Sequence, residues 1–420
     1  MLSSKEKRID EKITEVASSV FECFIFIQDI LWSFVTPNKD VALLPDDILI
    51  DILSRLPAHS ILQCHRVCRD WRALTSTRQF AEMQFRRAES TIFMQCYHPL
   101  DHGGTVHFLV FDENAKRFQK LKFKSKVVAA MKKYGVIKLC CSFGGLLLFE
   151  KLFPPIACVV IDPFTEVVKW IYFPFGFGCG TVCGLFFQPL ASEYKVLLYT
   201  NKDYYVYGSK SLTWRNITFG SFPFRPHVCS PVLLNQALHW ILDPASVDDK
   251  EIDLCIHAVM VFDMGSEKFH TMPHPNVQQY RVKCRHIMMY LFEKDESLYL
   301  CDMYDIFDGL IEMWQLKDYR NWIWVKRYRL NVQMFPMLRE LNQMSYFLHW
   351  SHKNICILSM NKDELLIDWF SYGLFILNLK KMTLRELERC DVRDSDGSLS
   401  HPRPKLFISH KNCMHPTVRL

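Results

Sequence analysis

Val259–Met272 reads VMVFDMGSEKFHTM, and Cys158–Ile171 reads CVVIDPFTEVVKWI. Each is an apolar run, an Asp, a short polar turn and a second run that opens apolar or aromatic. Two such runs across a short turn are the signature of a β-hairpin. The Asp has a mechanical use there, because its carboxylate accepts turn N–H groups and starts the loop. The unit recurs as HFLVFDENAKRFQKL from His107, YYVYGSKSLTWRNI from Tyr204, IEMWQLKDYRNWIWVKRY from Ile311 and LFILNLKKMTLREL from Leu374, which makes six copies. The residues closing the first strand are Asp112, Asp162, Gly208, Asp263, Gln315 and Asn378, at spacings of 50, 46, 55, 52 and 63 residues. A four-stranded propeller blade is roughly 40 to 50 residues long.

Working outward, Leu139–Phe149, Val232–Leu242, Ile287–Cys301 and Ile355–Trp369 carry further apolar runs split by a Gly, Asn or charged turn. They are further hairpin-like strands between the copies. Trp170 and Trp214 are expected to pack between neighbouring sheets. Radial packing buries both faces of every sheet and leaves no long edge exposed. A pair of β-sandwich domains is the rival architecture.

Residues 44–90 have a different texture: LPDDILIDILSRLPAHSILQCHRVCRDWRALTSTRQFAEMQFRRAES. Pro45 suits a first helical position, and Asp46 and Asp47 suit the positive end of a helix dipole. Ile48, Leu49, Ile52, Leu53 and Leu56 make one apolar stripe, and Pro57 stops the helix. Ile61, Leu62, Cys64, Val67, Cys68, Trp71 and Leu74 continue a second helical pattern. A module of about 45 residues buries little core by itself, so a partner or the next domain must complete it. Arg66, Arg69, Arg72, Arg78, Arg86 and Arg87 outnumber Asp70, Glu82 and Glu89 in its second half, which favours an acidic partner. His59 and His65 are expected to be solvated.

Three linked stretches of this module resemble the F-box: Leu44-Pro45-Asp46-Asp47-Ile48-Leu49, Ile52-Leu53-Ser54-Arg55-Leu56-Pro57 and Val67-Cys68-Arg69-Asp70-Trp71-Arg72. The resemblance implies binding to a Skp-type adaptor and, through it, to a cullin–RING ubiquitin ligase core. It puts the adaptor-contact positions on Leu44, Pro45, Ile48, Leu49, Ile52, Leu53, Leu56, Pro57, Ile61, Leu62, Val67 and Trp71; some of these must instead hold the module together. Residues from about 90 to 390 resemble the plant F-box-associated domain. The stretches that carry this are Cys141–Leu147, Ile161-Asp162-Pro163, Glu193–Val196, Val206–Arg215, Leu234–Trp240 and Phe262–Phe269. Ser142-Phe143 stands where that family usually has Asn-Gly, and Gly208 where Ser is common. A double glycine occurs once in these units, at Gly144-Gly145, so they are not kelch repeats.

The expected fold class is therefore α+β over several domains. A helical extension covers 1–40, a small helical F-box 41–89, an all-β domain 90–400 (a six-bladed β-propeller) and a tail 401–420, of which Lys405–Ser409 could add the strand that closes the ring. Composition narrows the function. Lys+Arg is 51 and Asp+Glu is 45, a net +6 over 420 residues, too thin a surplus for a nucleic-acid partner. Val20–Val35 is apolar but short for a membrane span and interrupted by Glu22, Gln28 and Asp29; its spacing predicts a docking helix, not a membrane segment. The 16 cysteines are scattered, and Cys179 and Cys183 have no second pair at zinc spacing. Reduced thiols point to the nucleus or cytoplasm.

Phosphate-binding, nucleophile-elbow and metalloprotease motifs are absent. His239 and His349 lie inside strand-like runs and read as core histidines, and Asp248-Asp249 as a solvated loop. No catalytic residue, metal or cofactor is expected. The reading is a substrate receptor that captures a target protein, with Phe222, Phe224, Arg225 and His227 as target contacts stiffened by Pro223 and Pro226. Phe173–Gly180 and Met303–Gly309 are the next loops. The alternative is an interaction or carbohydrate-binding propeller that uses the F-box only for docking.

Overall fold

The computed structural model describes residues 45–56, 60–61, 64–65, 68–88, 90–97, 106–112, 117–120, 137–151, 156–163, 167–174, 180–217, 230–242, 258–275, 289–305, 310–331, 355–361, 363–369, 373–387, 392–393, 399–400 and 403–411. Residues 1–44, and with them the whole 1–40 extension and Val20–Val35, lie outside them. The chain divides into two compact units, residues 1–53 and 54–420.

In the first unit, helix α1 (Asp46–Leu53) starts where the sequence puts it. Pro45 accepts the first helical bond from Leu49 N–H at 3.1 Å, and Asp46 and Asp47 fill the first turn. Ile48 and Ile52, one turn apart, are 43% and 45% exposed, whereas Leu53 is buried.

The second unit opens with helices α2 (Arg69–Thr75) and α3 (Arg78–Arg87). Both have side-chain N-caps. Cys68 Sγ accepts Trp71 N–H at 3.4 Å, and Thr77 Oγ1 accepts Phe80 N–H at 3.2 Å. The far end of α3 is tied down within this unit. Gln84 Nε2 donates to Leu56 O at 3.1 Å, Arg87 Nη1 donates to Ser54 Oγ at 2.5 Å, and Phe85 stacks on Phe143 with ring centroids 6.4 Å apart.

All other described elements are strands. The first sheet holds β1 (Ser90–Tyr97), β2 (Val106–Asp112) and β3 (Arg117–Lys120). The second is β4 (Ile137–Phe143), β5 (Leu146–Lys151), β6 (Ala157–Ile161) and β7 (Val168–Tyr172). The third is β8 (Thr181–Gln188), β9 (Glu193–Thr200), β10 (Asp203–Gly208) and β11 (Trp214–Asn216). The fourth is β12 (Val232–Leu234), β13 (Ala237–Ile241), β14 (Val259–Asp263) and β15 (Lys268–Met272). The fifth is β16 (Met289–Lys294), β17 (Ser297–Asp305), β18 (Leu310–Asp318) and β19 (Ile323–Asn331). The sixth is β20 (Ile355–Asn361), β21 (Glu364–Trp369), β22 (Gly373–Asn378) and β23 (Thr383–Glu386). After a small ribbon of β24 (Val392–Arg393) and β25 (Leu399–Ser400), β26 (Arg403–Lys411) pairs antiparallel with β1 and makes the first sheet four-stranded.

Sequence order matches spatial order in five sheets, and only the first borrows a strand from the C-terminal end. Apolar clusters join neighbours. Leu148 and Val160 meet Val182 and Val196 between the second and third sheets. Phe186 and Tyr204 meet Trp240 and Phe262 between the third and fourth. Ile241 and Val261 meet Leu300 and Trp314 between the fourth and fifth. Cys301 and Met313 meet Ile367 and Phe375 between the fifth and sixth. Leu366 and Ile376 meet Ile92 and Phe111 between the sixth and first. The ring closes where buried Gln95 accepts Leu139 N–H at 2.6 Å and β26 lies beside β4. Six sheets in a closed circuit make a six-bladed propeller rather than two sandwiches. The six recurring hairpins are the outer two strands of each blade.

The tail boundary is corrected by β26: residues 403–411 belong to the ring, because an open ring would leave β1 with an unpaired inner edge. The fifth hairpin is corrected in register. Asp318, not Gln315, starts its turn, accepting Arg320 N–H at 2.9 Å and Asn321 N–H at 3.1 Å. Asp263 and Asn378 act alike, accepting Ser266 N–H at 2.6 Å and Lys381 N–H at 2.8 Å. Four residues after each starter the chain turns left-handed, at Glu267 (φ 55°), Trp322 (56°) and Met382 (51°). Gly208 has no carboxylate to offer, yet Leu212 is also left-handed at φ 56°. Glu193 of the neighbouring strand takes over and accepts Lys210 N–H at 3.0 Å. A Cβ on Gly208 would sit 2.7 Å from that carboxylate, so the glycine makes room for it.

Trp214 spans two blades as expected: its Nε1–H donates to Tyr172 O at 3.0 Å. Trp324 repeats the device two blades on, donating to Pro273 O at 3.1 Å. Trp170 is partly buried on β7. Two cysteines have a backbone role. Cys140 and Cys183 are the extra residues of β-bulges in the innermost strands β4 and β8. Their thiols donate to Lys138 O at 3.4 Å and Thr181 O at 3.3 Å, two residues back in each case.

Candidate functional site

Antiparallel strand order fixes two faces on the ring. Turns from first to second strand (in blades two to six) and from third to fourth strand share one face; among the described residues Gly144-Gly145, Asn235-Gln236 and Asp295-Glu296 are two-residue turns there with positive φ. Links from second to third strand, and from blade to blade, share the other face. The strand ends at Ile217 and Ser230, from which residues 218–229 run, lie on that second face, since β11 pairs back to the start of β10 and β12 to the end of β13. Phe222, Phe224, Arg225 and His227 themselves lie outside the described residues, as do 175–179 and 306–309. Of the flanking candidates, Phe173 packs edge-on against Trp214 at 5.5 Å, and Met303 is fully buried in the cluster between the fifth and sixth blades. Both are packing residues.

The helical module sorts its apolar residues. Ile48, Ile52 and Pro45 are exposed, Leu49, Leu56 and Trp71 partly so, and Leu53 and Ile61 are buried at 3% and 0%. Leu44, Pro57, Leu62 and Val67 lie outside the described residues. The stripe on α1 therefore presents isoleucines at i and i+4 to solvent. His65 departs from the solvated expectation: it is half-buried, its Nε2 has no hydrogen-bond partner, and burial followed by the Arg72 charge holds its pKa below the usual histidine value. His59 lies outside the described residues.

His239 is a core histidine, as its place in a strand implies. It is fully buried, with Nδ1 3.0 Å from Val232 O and Nε2 2.8 Å from Tyr319 Oη, so both ring nitrogens are engaged. Burial pushes its pKa down to about 4, so the ring is neutral at pH 7. His349 and Asp248-Asp249 lie outside the described residues. The densest charge cluster is structural too. Lys195 Nζ lies 2.6 Å from Glu267 Oε1 and 3.4 Å from Glu193 Oε1, and Arg215 also pairs with Glu267. These side chains tie the third blade to the turn of the fourth.

Among the described residues, no group of three or more His, Cys, Asp or Glu is arranged to hold a metal ion. The described cysteines Cys64, Cys68, Cys140, Cys141, Cys158, Cys183 and Cys301 are all unpaired, and burial raises the thiol pKa of Cys64 to about 11 and of Cys141 to about 12. Such thiols are inert packing groups. No helix of the described residues is long and apolar enough to cross a membrane.

Comparison with known proteins agrees with this geometry. Residues 41–84 match the F-box-like family, and residues 94–413 match the family described as F-box associated beta propeller domain. The second match covers β26. "F-box protein At3g07870" of Arabidopsis thaliana is 26% identical over 275 residues, 56% of this chain and 60% of that protein. "F-box protein At1g67130" of the same plant is 23% identical over 388 residues, 89% of this chain and 78% of that protein. Among solved structures, an oligogalacturonate lyase from Vibrio parahaemolyticus superposes with a TM-score of 0.35 at 9% identity, covering 73% of this chain and 88% of that one, a likeness too slight to bear on function. With an F-box signature ahead of a six-bladed ring that the second family spans almost end to end, the chain belongs to the F-box proteins with an F-box associated beta propeller domain.

Proposed function

We propose that the chain is the substrate-recognition subunit of a Skp–cullin–F-box ubiquitin ligase. Its F-box end binds a Skp-type adaptor, and its propeller recruits a target protein. The observation that carries this reading is the solvent-facing pair Ile48 and Ile52 on α1, 43% and 45% exposed, inside the segment that matches the F-box-like family. Two isoleucines one turn apart form an apolar anchor that a partner's groove can bury. Leu53 and Ile61, both buried, then serve packing in this reading.

The chain performs no bond chemistry in this account. It raises the effective concentration of a target's lysines near the charged conjugating enzyme. The ties from α3 to Leu56, Ser54 and Phe143 support a fixed lever between the last F-box helix and the ring. The target surface is assigned to the face that carries the long links, with Phe222, Phe224, Arg225 and His227 as its contacts. Reduced cysteines support residence in the nucleus or cytoplasm.

The test is a titration of the purified full chain with a Skp-type adaptor. Ile48→Asp with Ile52→Asp buries two unpaired carboxylates in the interface and weakens binding by about 100-fold or more. Because both residues are exposed, the melting temperature stays within about 2 °C of the parent. Undiminished binding by the double variant contradicts the assignment.

A further inference from the structure

The outermost strand of a propeller blade is an edge, and natural edges are kept short, covered, charged or bulged. Here β3, β7, β11, β15 and β23 are 4, 5, 3, 5 and 4 residues long. β19 is 9 residues long, Ile323–Asn331, and among the described residues it pairs only with β18. It is also basic. IWVKRYRLN has three basic residues and no acidic one, and Arg320 adds another at the turn that leads in.

Among the described residues these charges are only partly paired, although Lys326 Nζ also sits 4.6 Å over the Trp314 ring. Lys326 and Arg329 share a single carboxylate, Glu312, at 2.6 and 3.5 Å, while Arg329 stays 63% exposed. Arg327 Nε donates to the neutral Gln315 at 2.7 Å. The carboxylate of Asp318 is occupied by its own turn, at Arg320 N–H, Asn321 N–H and Asn321 Nδ2. The edge thus keeps a positive surplus. It begins with two large apolar side chains in solvent, Trp322 at 41% and Ile323 at 50% exposure. Trp322 holds a left-handed backbone at φ 56°, a conformation that disfavours bulky side chains, so stability alone does not select a tryptophan there.

We propose that the outer edge of β19 docks an acidic, extended segment of a partner protein, which adds as a fifth strand to the fifth blade. Backbone pairing along the edge supplies affinity. Lys326, Arg327 and Arg329 select acidic side chains, and Trp322 and Ile323 offer an apolar contact at one end. A second copy of this chain is disfavoured as occupant, because pairing like with like would set one basic strand against another. The observations behind it involve no F-box residue, so the proposal stands or falls apart from the ligase reading.

The experiment uses the full chain and a fluorescein-labelled ten-residue peptide of alternating Glu and Val, read by anisotropy at 50 mM salt. The expected result is saturable binding that weakens at least tenfold with Arg327→Glu plus Arg329→Glu, and weakens likewise at 500 mM salt for the parent. Amides of 323–330 that point away from β18 gain hydrogen-exchange protection on binding. A matching Lys–Val peptide and a Glu–Val peptide with a central proline both fail to bind. The thermal melt of the double variant reports its folding. No binding of the acidic peptide to 1 mM, binding indifferent to the charge reversals in a folded variant, or protection in the free chain of those 323–330 amides that point away from β18 would each overturn the proposal; the last result would mean that the chain covers this edge itself.

Discussion

A chain that ends at Pro402 loses the cooperative melt of its β domain. The reason is topological. Blades two to six are each built from one continuous stretch, but the first has β26 as its innermost strand. Eight β1 residues, Ser90–Tyr97, pair with that strand. On β1, Ile92, Phe93, Met94 and Gln95 are 3%, 4%, 3% and 0% exposed. Removing β26 strips the ladder from β1 and removes the neighbour of β4 and of β20, opening the ring at both seams. A loss on the order of 5 kcal/mol or more is comparable with the whole stability of a typical domain. Circular dichroism should show either no cooperative transition or one lowered by more than about 10 °C. A synthetic peptide of residues 400–414 added in trans should restore part of it. A truncated chain melting within about 2 °C of the full chain contradicts the closure.

Asp368→Asn is expected to stabilise the protein at pH 8 by up to about 4 kcal/mol. Asp368 lies near the end of β21, 7% exposed, and burial pushes its carboxyl up to about 7 from 3.8. A raised carboxyl pKa means that the folded state prefers the proton. The stability it contributes is present below pH 3.8 and is lost as pH rises through about 7. His239 has the opposite sign. Its folded value of about 4 lies below 6.5, so its contribution is present above pH 6.5 and is lost as pH falls toward 4. In the parent the two slopes oppose each other between about pH 4 and 7. The asparagine removes one of them. At pH 8 the variant melts higher, on the order of 5–10 °C; at pH 4 the two proteins coincide, and the variant's stability falls with acid where the parent's is flatter. Equal melting temperatures at pH 8 would mean that the Asp368 carboxylate is solvated or paired.

Most of the ring was legible from six hairpins, because a buried strand, a turn starter and a second strand are all local signals. The misplaced register came from β18, where the bulge between Leu316 and Asp318 adds Lys317 to the strand; the irregularity between Met313 and Trp314 instead adds Arg327 to β19. Counting from the apolar run stops at Gln315; the turn chemistry resides at Asp318. The role of Glu193 at Gly208 was not legible either, since that carboxylate arrives from a neighbouring strand 15 residues earlier in the chain. The closing strand was only half visible. Its Pro-containing, polar surroundings read as a tail, and its partner β1 lies some 300 residues away in sequence. On α1 the apolar stripe was plain from spacing, but the division into exposed Ile48 and Ile52 and buried Leu53 depends on packing that spacing does not encode.

The central claim is that proteins held by the propeller receive ubiquitin because the F-box holds the adaptor. It is tested most directly in a plant extract or reconstituted ligase. Full-length chain and the Ile48→Asp, Ile52→Asp variant are each immobilised, and ubiquitin linkages on co-retained proteins are quantified by mass spectrometry. The account predicts the same retained target proteins on both, with adaptor and cullin retained, and ubiquitin added to the targets, on the parent only. Equal ubiquitin addition on both chains, or none on any protein that the parent retains, would contradict it.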